Sequence, residues 1–462
     1  MSTIPHIDQE VYIVPSYPLE CGTELKDAPV AYKTWGRLND ARDNVMVICH
    51  ALTGSADVED WWGPLMGRNK AFDPSRFFIF CANTLGSPYG SASPVTTDPA
   101  TGKPYGPAFP PTSIRDDVAI HQHVLRHHLG VQRVAVVIGG SMGGMAALEW
   151  PLVAPPNFVR RICVLASAAR HSAWCIAWGE SQRQSIYSDP AYENGYYDAS
   201  AQPRSGLAAA RMCALLTYRS RDSFERRFGR KVHASLAAPS RSAKSDEGAL
   251  VTPPASPALE AVDLHNDGHR NRTPSTSSVG NEPSAPHLAS PTPAAQAPIF
   301  SAQSYLRYQG EKFIARFDAN CYIHLTRKMD THDIARGRWP PAPPPGTDTD
   351  LHAHPDLPLT HTLALLPPHA LIISIQSDGL FTPPEQTLLA SHIPHSTFVN
   401  IPSGEGHDGF LVEFEGVGRA VRGWLREEFG EYYVGVDDAD EEGYEVKKES
   451  VFGEAEVDFT RW

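Results

Sequence analysis

The residues with the clearest chemical content are Gly139-Gly140-Ser141-Met142-Gly143-Gly144, which follow the apolar run VAVVI and precede the helix-forming run MAALEW. A G-x-S-x-G between a strand and a helix is a nucleophile elbow, a turn that presents a serine hydroxyl for attack on an acyl carbon. The turn is so sharp that side chains two residues before and after the serine would strike neighbouring backbone, which is why Gly139 and Gly143 stand there. A serine hydroxyl is a weak nucleophile at neutral pH, so it needs a base, and the base needs an orienting acid. In this architecture they follow in the order Ser, Asp or Glu, His. Asp378 comes directly after the run LIISIQS, and His407 lies in SGEGHDGF just after TFVNIP. Alone, Asp378 reads as a turn residue and His407 as one loop histidine among 20; their joint position with the elbow favours a Ser141–Asp378–His407 triad. An oxyanion needs two backbone N–H donors. Met142, next to the serine, is one candidate, and Leu52, in the HALTG loop after VMVIC, is the other.

These residues require strands to end where they stand. Short β-branched runs recur at 45–49, 76–84, 134–139, 162–167, 371–377 and 397–402, with helical stretches between them. Continuous apolar strands separated by helices predict an α/β fold with a mostly parallel sheet covered on both faces. Val118, Ile120, Val124, Leu125 and Leu129 give 114–129 a helical spacing that leads into the strand carrying the elbow. The alternation breaks between 167 and 371, too far for a loop, so an insertion is expected there. Segments 171–233 and 301–337 mix aromatic and aliphatic residues with Arg and Gln and read as packed helices of a lid. Segment 234–300, rich in Ser, Pro, Ala and Thr, reads as a disordered loop within it. WPPAPPPG reads as an extended connector and VDDADEEGYE as a solvated acidic stretch. The domain expectation is therefore a core at 1–168 and 361–462, with a helical lid inserted at 169–360.

A net charge of −13 excludes a large surface for nucleic acid or anionic membrane, so an anionic ligand must find a local basic site. The 7 cysteines are scattered, several within apolar runs, and read as reduced residues of a cytoplasmic protein. MSTIPHIDQEVYIV has the composition of neither a signal nor a transit peptide, and no apolar run reaches the roughly 18 residues a membrane helix needs. His123 and His127 would share a helix face, but no cysteine or carboxylate cluster completes a metal site, and no metal is expected.

The segments CHALTGSADVEDWWGPLMG, AFDPSRFFIFCANTLGSPYGSASP, TSIRDDVAIHQ, GGSMGG, SDGLF and GHDGF resemble the homoserine O-acetyltransferase family in its fungal form. The resemblance covers nearly the whole chain except 234–300. It implies the α/β-hydrolase fold and a ping-pong reaction of methionine biosynthesis. In that reaction Ser141 takes the acetyl group from acetyl-CoA, and His407 then activates the hydroxyl of L-homoserine. No permanently bound cofactor is implied; acetyl-CoA is a co-substrate, and relatives suggest a homodimer. The resemblance also implies Arg211 as a contact to the amino-acid carboxylate and Asp408 as a contact to its ammonium. Without it, Arg211 reads equally well as a surface arginine of a lid helix and Asp408 as a solvated loop carboxylate.

Two other readings stand beside this one. A serine O-acetyltransferase, or a related acyltransferase or esterase, fits the same residues, since one fold hosts many chemistries. A binding or scaffold protein, with the Pro/Ser-rich insert as its interaction segment, has no need of a complete triad.

Overall fold

The computed structural model describes residues 4–232, 265, 299–339 and 356–434. Most of the expected loop at 234–300, nearly all of the proline-rich connector and the acidic stretch at 436–445 lie outside the described residues.

An 8-stranded sheet runs in the order β1-β2-β4-β3-β5-β6-β7-β8. Its strands are β1 (Glu10–Pro18), β2 (Glu24–Trp35), β3 (Val45–Cys49), β4 (Phe78–Ala82), β5 (Val134–Gly140), β6 (Val159–Leu165), β7 (Leu371–Ile375) and β8 (Thr397–Ile401). From β4 to β8 every neighbouring pair is parallel. Only the β1–β2 and β2–β4 pairs are antiparallel. The first two strands were not foreseen in the sequence. Most of β1 is exposed or half-buried, with Val14 its one buried side chain, although Val11-Tyr12-Ile13-Val14 is an apolar run; the strand stands at the edge of the sheet.

The central strands are apolar on both faces because helices cover both. In β3, Val45, Val47 and Cys49 belong to one core cluster and Met46 and Ile48 to the other, the alternation a strand imposes. The first cluster packs under α2 (Ile114–His123) and α3 (Met142–Val153), the second under α1 (Val58–Trp62) and the C-terminal helix α12 (Phe414–Glu428). Val417, Val421, Trp424 and Leu425 give α12 its single buried stripe. The helical run expected through 129 is continuous but changes character: α2 passes into a π-helical turn at Val124–His128, where the His123 and His127 rings stand 4.7 Å apart.

Between β6 and β7 lie α4 (Ala173–Tyr187), α5 (Arg204–Tyr218), α6 (Arg221–Arg227), α7 (Ser301–Ile314), α8 (Ala319–Asp330) and α9 (Leu357–Leu363). After β7 come α10 (Pro383–His392) and, behind the loop that follows β8, the short α11 (Gly409–Val412). Helix α8 is pinned to the sheet layer by Lys328. Its fully buried ammonium donates to both oxygens of Asp117 in α2, at 2.8 and 2.7 Å, and to the Leu85 carbonyl at 2.6 Å. The parallel strands deliver four loops to one edge, after β3, β5, β7 and β8, and the site is built there.

Candidate active site

Ser141 joins β5 to α3 with φ 57° and ψ −126°, a conformation side-chain-bearing residues rarely adopt. Its surroundings over-determine the strain. The Ser141 N–H donates to the Leu165 carbonyl at 3.0 Å, and the Ser141 carbonyl accepts from the Ser167 hydroxyl at 2.7 Å. A Cβ on Gly139 would stand 2.1 Å from the Gly143 carbonyl oxygen, and one on Gly143 would stand 2.1 Å from the Cys49 carbonyl oxygen. The two glycines thus let the turn close on itself and against the end of β3.

His407 reaches the serine from the loop after β8. Its Nε2 lies 2.9 Å from Ser141 Oγ and its Nδ1 2.8 Å from Asp378 Oδ2. The other Asp378 oxygen accepts the backbone N–H groups of Leu380 and Phe381 at 2.9 and 3.0 Å, which fixes the carboxylate. This pattern puts the imidazole proton on Nδ1 and leaves Nε2 to accept from the serine hydroxyl. The three residues, far apart in sequence, are all buried. Phe381 and Phe410 pack on the imidazole with ring centroids 5.2 Å away. Burial alone would depress the His407 pKa. The charge and hydrogen bond of Asp378, with Asp408 and Glu385 behind it, outweigh burial and hold it above the ordinary 6.5.

Leu52 and the serine line the same pocket. The Leu52 loop is a turn closed by the Gly54 N–H on the Ala51 carbonyl at 3.0 Å. Buried Arg316 holds it from the helical side, donating to the Thr53 carbonyl at 3.1 Å and bonding Tyr89 Oη at 2.8 Å. Met142 is the first residue of α3, where backbone N–H groups have no partner within the helix.

The two residues implied by the family resemblance reach the pocket from different sides and in different states. Arg211, on α5, is buried among the Phe313 and Tyr218 rings, with its guanidinium carbon 5.0 and 5.7 Å from their centroids. Its Nε has no hydrogen-bond partner. Asp408, next to His407, is paired by Arg219, whose Nε lies 2.8 Å from Asp408 Oδ2.

Several lining residues were missed in the sequence: Tyr218, Arg219, Tyr305 and Gln309. A signal for three of them was present. Arg211, Leu215 and Tyr218 repeat at helical spacing along α5, and Tyr305 and Gln309 do so along α7, as one inward face requires. Arg219 stands just past the end of α5, and nothing local distinguishes it.

Comparison with known proteins adds three findings. Residues 44–258 match the family model described as alpha/beta hydrolase fold. The chain is 51% identical over 514 aligned positions to a homoserine O-acetyltransferase of Cryptococcus neoformans var. grubii, covering 99% of this chain and 96% of that protein. It is 46% identical to one of Schizosaccharomyces pombe, covering 98% and 94%. Among solved structures, the homoserine O-acetyltransferase from Bacillus anthracis superposes with a TM-score of 0.68 at 20% identity, covering 91% of this chain and 98% of that one. Esterase E22 does so with a TM-score of 0.67 at 23% identity, covering 90% and 99%. At these identities the structural likeness speaks for the fold alone.

Proposed function

The chain belongs to the homoserine O-acetyltransferase family of the α/β-hydrolase fold, and from that premise we propose that it transfers an acetyl group from acetyl-CoA to the hydroxyl of L-homoserine. One observation carries the reading: a buried Ser141–His407–Asp378 relay, at 2.9 and 2.8 Å, opens into a pocket that also holds Arg211, a buried cation whose Nε is unpaired.

In the first half-reaction His407 Nε2 takes the Ser141 proton as Oγ attacks the thioester carbonyl. The tetrahedral oxyanion is received by the N–H groups of Leu52 and Met142. The intermediate collapses with loss of CoA, which takes the proton from His407 and leaves as a free thiol, and acetyl-Ser141 remains. In the second half-reaction His407 takes the proton of the homoserine hydroxyl as it attacks the acetyl-enzyme, then returns it to Ser141 as the product leaves. Asp378 keeps the imidazole in its Nδ1–H tautomer and offsets the positive charge it carries in both steps.

Arg211 takes the α-carboxylate in this reading, since a guanidinium offers two parallel donors to a carboxylate. Asp408 takes the ammonium. The product, O-acetylhomoserine, belongs to methionine biosynthesis, and a homodimer is the assembly this reading carries.

The test is thiol release from acetyl-CoA by purified protein with L-homoserine, L-serine or water alone, beside Ser141→Ala. Continuing release that needs homoserine and disappears in the variant is the expected result. Release with serine alone makes the protein a serine acetyltransferase, and release without acceptor that continues beyond one thiol per active site makes it a thioesterase.

A further inference from the structure

The loop that carries His407 holds two further acids that belong to no triad. Glu405 and Asp408 flank Gly406-His407, and the same buried arginine holds both. Arg219 Nη1 lies 2.9 Å from Glu405 Oε2, while its Nε lies 2.8 Å from Asp408 Oδ2. The planar guanidinium fork spans the loop as a clamp, a geometry lysine cannot copy.

The clamp is anchored on its far side. Glu405 also accepts from the Ser223 hydroxyl at 2.8 Å, from Arg227 at 2.5 Å and from Arg226 at 3.3 Å. Ser220 donates its hydroxyl to the Gly404 carbonyl at 2.5 Å. The approach is close enough to constrain sequence: Gly406 has φ 75°, and a Cβ there would stand 2.4 Å from the Ser220 backbone nitrogen. The end of α5 and the start of α6 are thus seated directly on the histidine loop.

We propose that Arg219 is a positioning residue for the acyl acceptor: anchored on Glu405, it holds Asp408 and aims its carboxylate at the acceptor's ammonium. The proposal rests on the reading of Asp408 as the ammonium contact. It gives the two arginines of this region opposite duties. Arg211 meets the substrate, whereas Arg219 meets the protein groups that meet the substrate.

A consequence for pH follows from the charges around His407. The groups facing it are Ser141, Asp378, Asp408 and Glu385, with the rings of Tyr218, Phe381 and Phe410 packed close by. Arg219 opposes the Asp408 charge. Without it, that charge acts on the imidazolium uncompensated, and the pKa of His407 rises. The base must be neutral to act, so the acidic limb of the rate profile moves to higher pH.

The experiment compares wild-type protein, Arg219→Gln, Asp408→Asn and the double variant, with acetyl-CoA and L-homoserine as probes. Arg219→Gln should raise KM for homoserine about ten- to a hundredfold, the scale of a lost charge-assisted hydrogen bond. It should also shift the acidic limb upward and, at a pH above that limb, leave single-turnover thiol release from acetyl-CoA alone intact. The double variant should be no worse than Asp408→Asn, because the two changes act through one group. An unmoved KM, losses that multiply in the double variant, or a proportional fall in thiol release would overturn the proposal. Arg219→Lys keeps the buried charge and guards against a Gln variant that does not fold. It should raise KM less, with thiol release intact, and an unchanged KM counts against the clamp. Wild-type protein that ignores homoserine overturns the functional reading and the clamp with it; wild-type turnover with an unmoved KM in the variant overturns the clamp alone.

Discussion

The tips of the parallel strands and the helices inserted between β6 and β7 face each other across one pocket, and they treat polar atoms differently. At the strand tips both nitrogens of His407, both oxygens of Asp378 and the Ser141 hydroxyl have protein partners. On the helices, Arg211 is buried with its Nε unpaired, although Arg219, a few residues on, grips two carboxylates. A buried donor left unpaired costs stability unless something else satisfies it. The strand tips therefore hold a finished geometry, while the helices carry a buried donor that the protein leaves without a partner.

The largest effect that tests this contrast comes from the finished side. Asp378→Asn keeps the shape of the carboxylate but favours the wrong imidazole tautomer, and should lower kcat by roughly 10⁴-fold. Circular dichroism should stay that of the wild type; a loss below tenfold would mean that Asp378 does not orient the histidine.

Next comes the joint between the two regions. Lys328→Met strands the Asp117 carboxylate in the interior and should destabilise the fold by about 3–5 kcal/mol. Chemical denaturation reads this directly. The double change Lys328→Met/Asp117→Leu should recover much of the loss, since no buried charge is then left unpaired.

On the helical side, Arg211→Met should leave the melting temperature unchanged or raised, because Arg211 forms no ion pair among the described residues, its Nε is unpaired, and apolar surface is gained. The same variant should lose about ten- to a hundredfold in kcat/KM for homoserine. A clear fall in melting temperature would mean that Arg211 is structural.

The smallest effect is on pH. Because the His407 pKa is held above 6.5 and the base works only when neutral, kcat/KM should rise with pH through an acidic limb centred above 6.5. A rate already flat below that value would show that another group limits it.

The parts of the site read most directly in the sequence are those whose signal is local. The glycines around Ser141 announce a crowded turn, and Asp378 and His407 each follow a short β-branched run, so each could be placed at a strand's end before any contact was known. Strand β1 escaped although it carries the apolar run Val11 to Val14, because Pro15 interrupts it, a residue that sheets confine to their edges, and the π-helical turn after α2 escaped because its spacing is nearly that of an α-helix. Tyr305 and Gln309 escaped for a different reason: their spacing marks a helix face, and spacing alone does not say what that face looks at.

The sequence by itself determined the alternation of strands and helices, the elbow at Ser141 and the order in which its partners follow. Each of these depends on neighbours along the chain, whose sterics and periodicity are written in residue types. Only the tertiary structure decided that Arg211 is left unpaired while Arg219 closes on Glu405, a contact across 186 positions of sequence. Arg211 on α5 and Arg219 just past its end carry the same charge; which of them meets a carboxylate of the protein depends on where a distant loop comes to rest, and no local pattern encodes that.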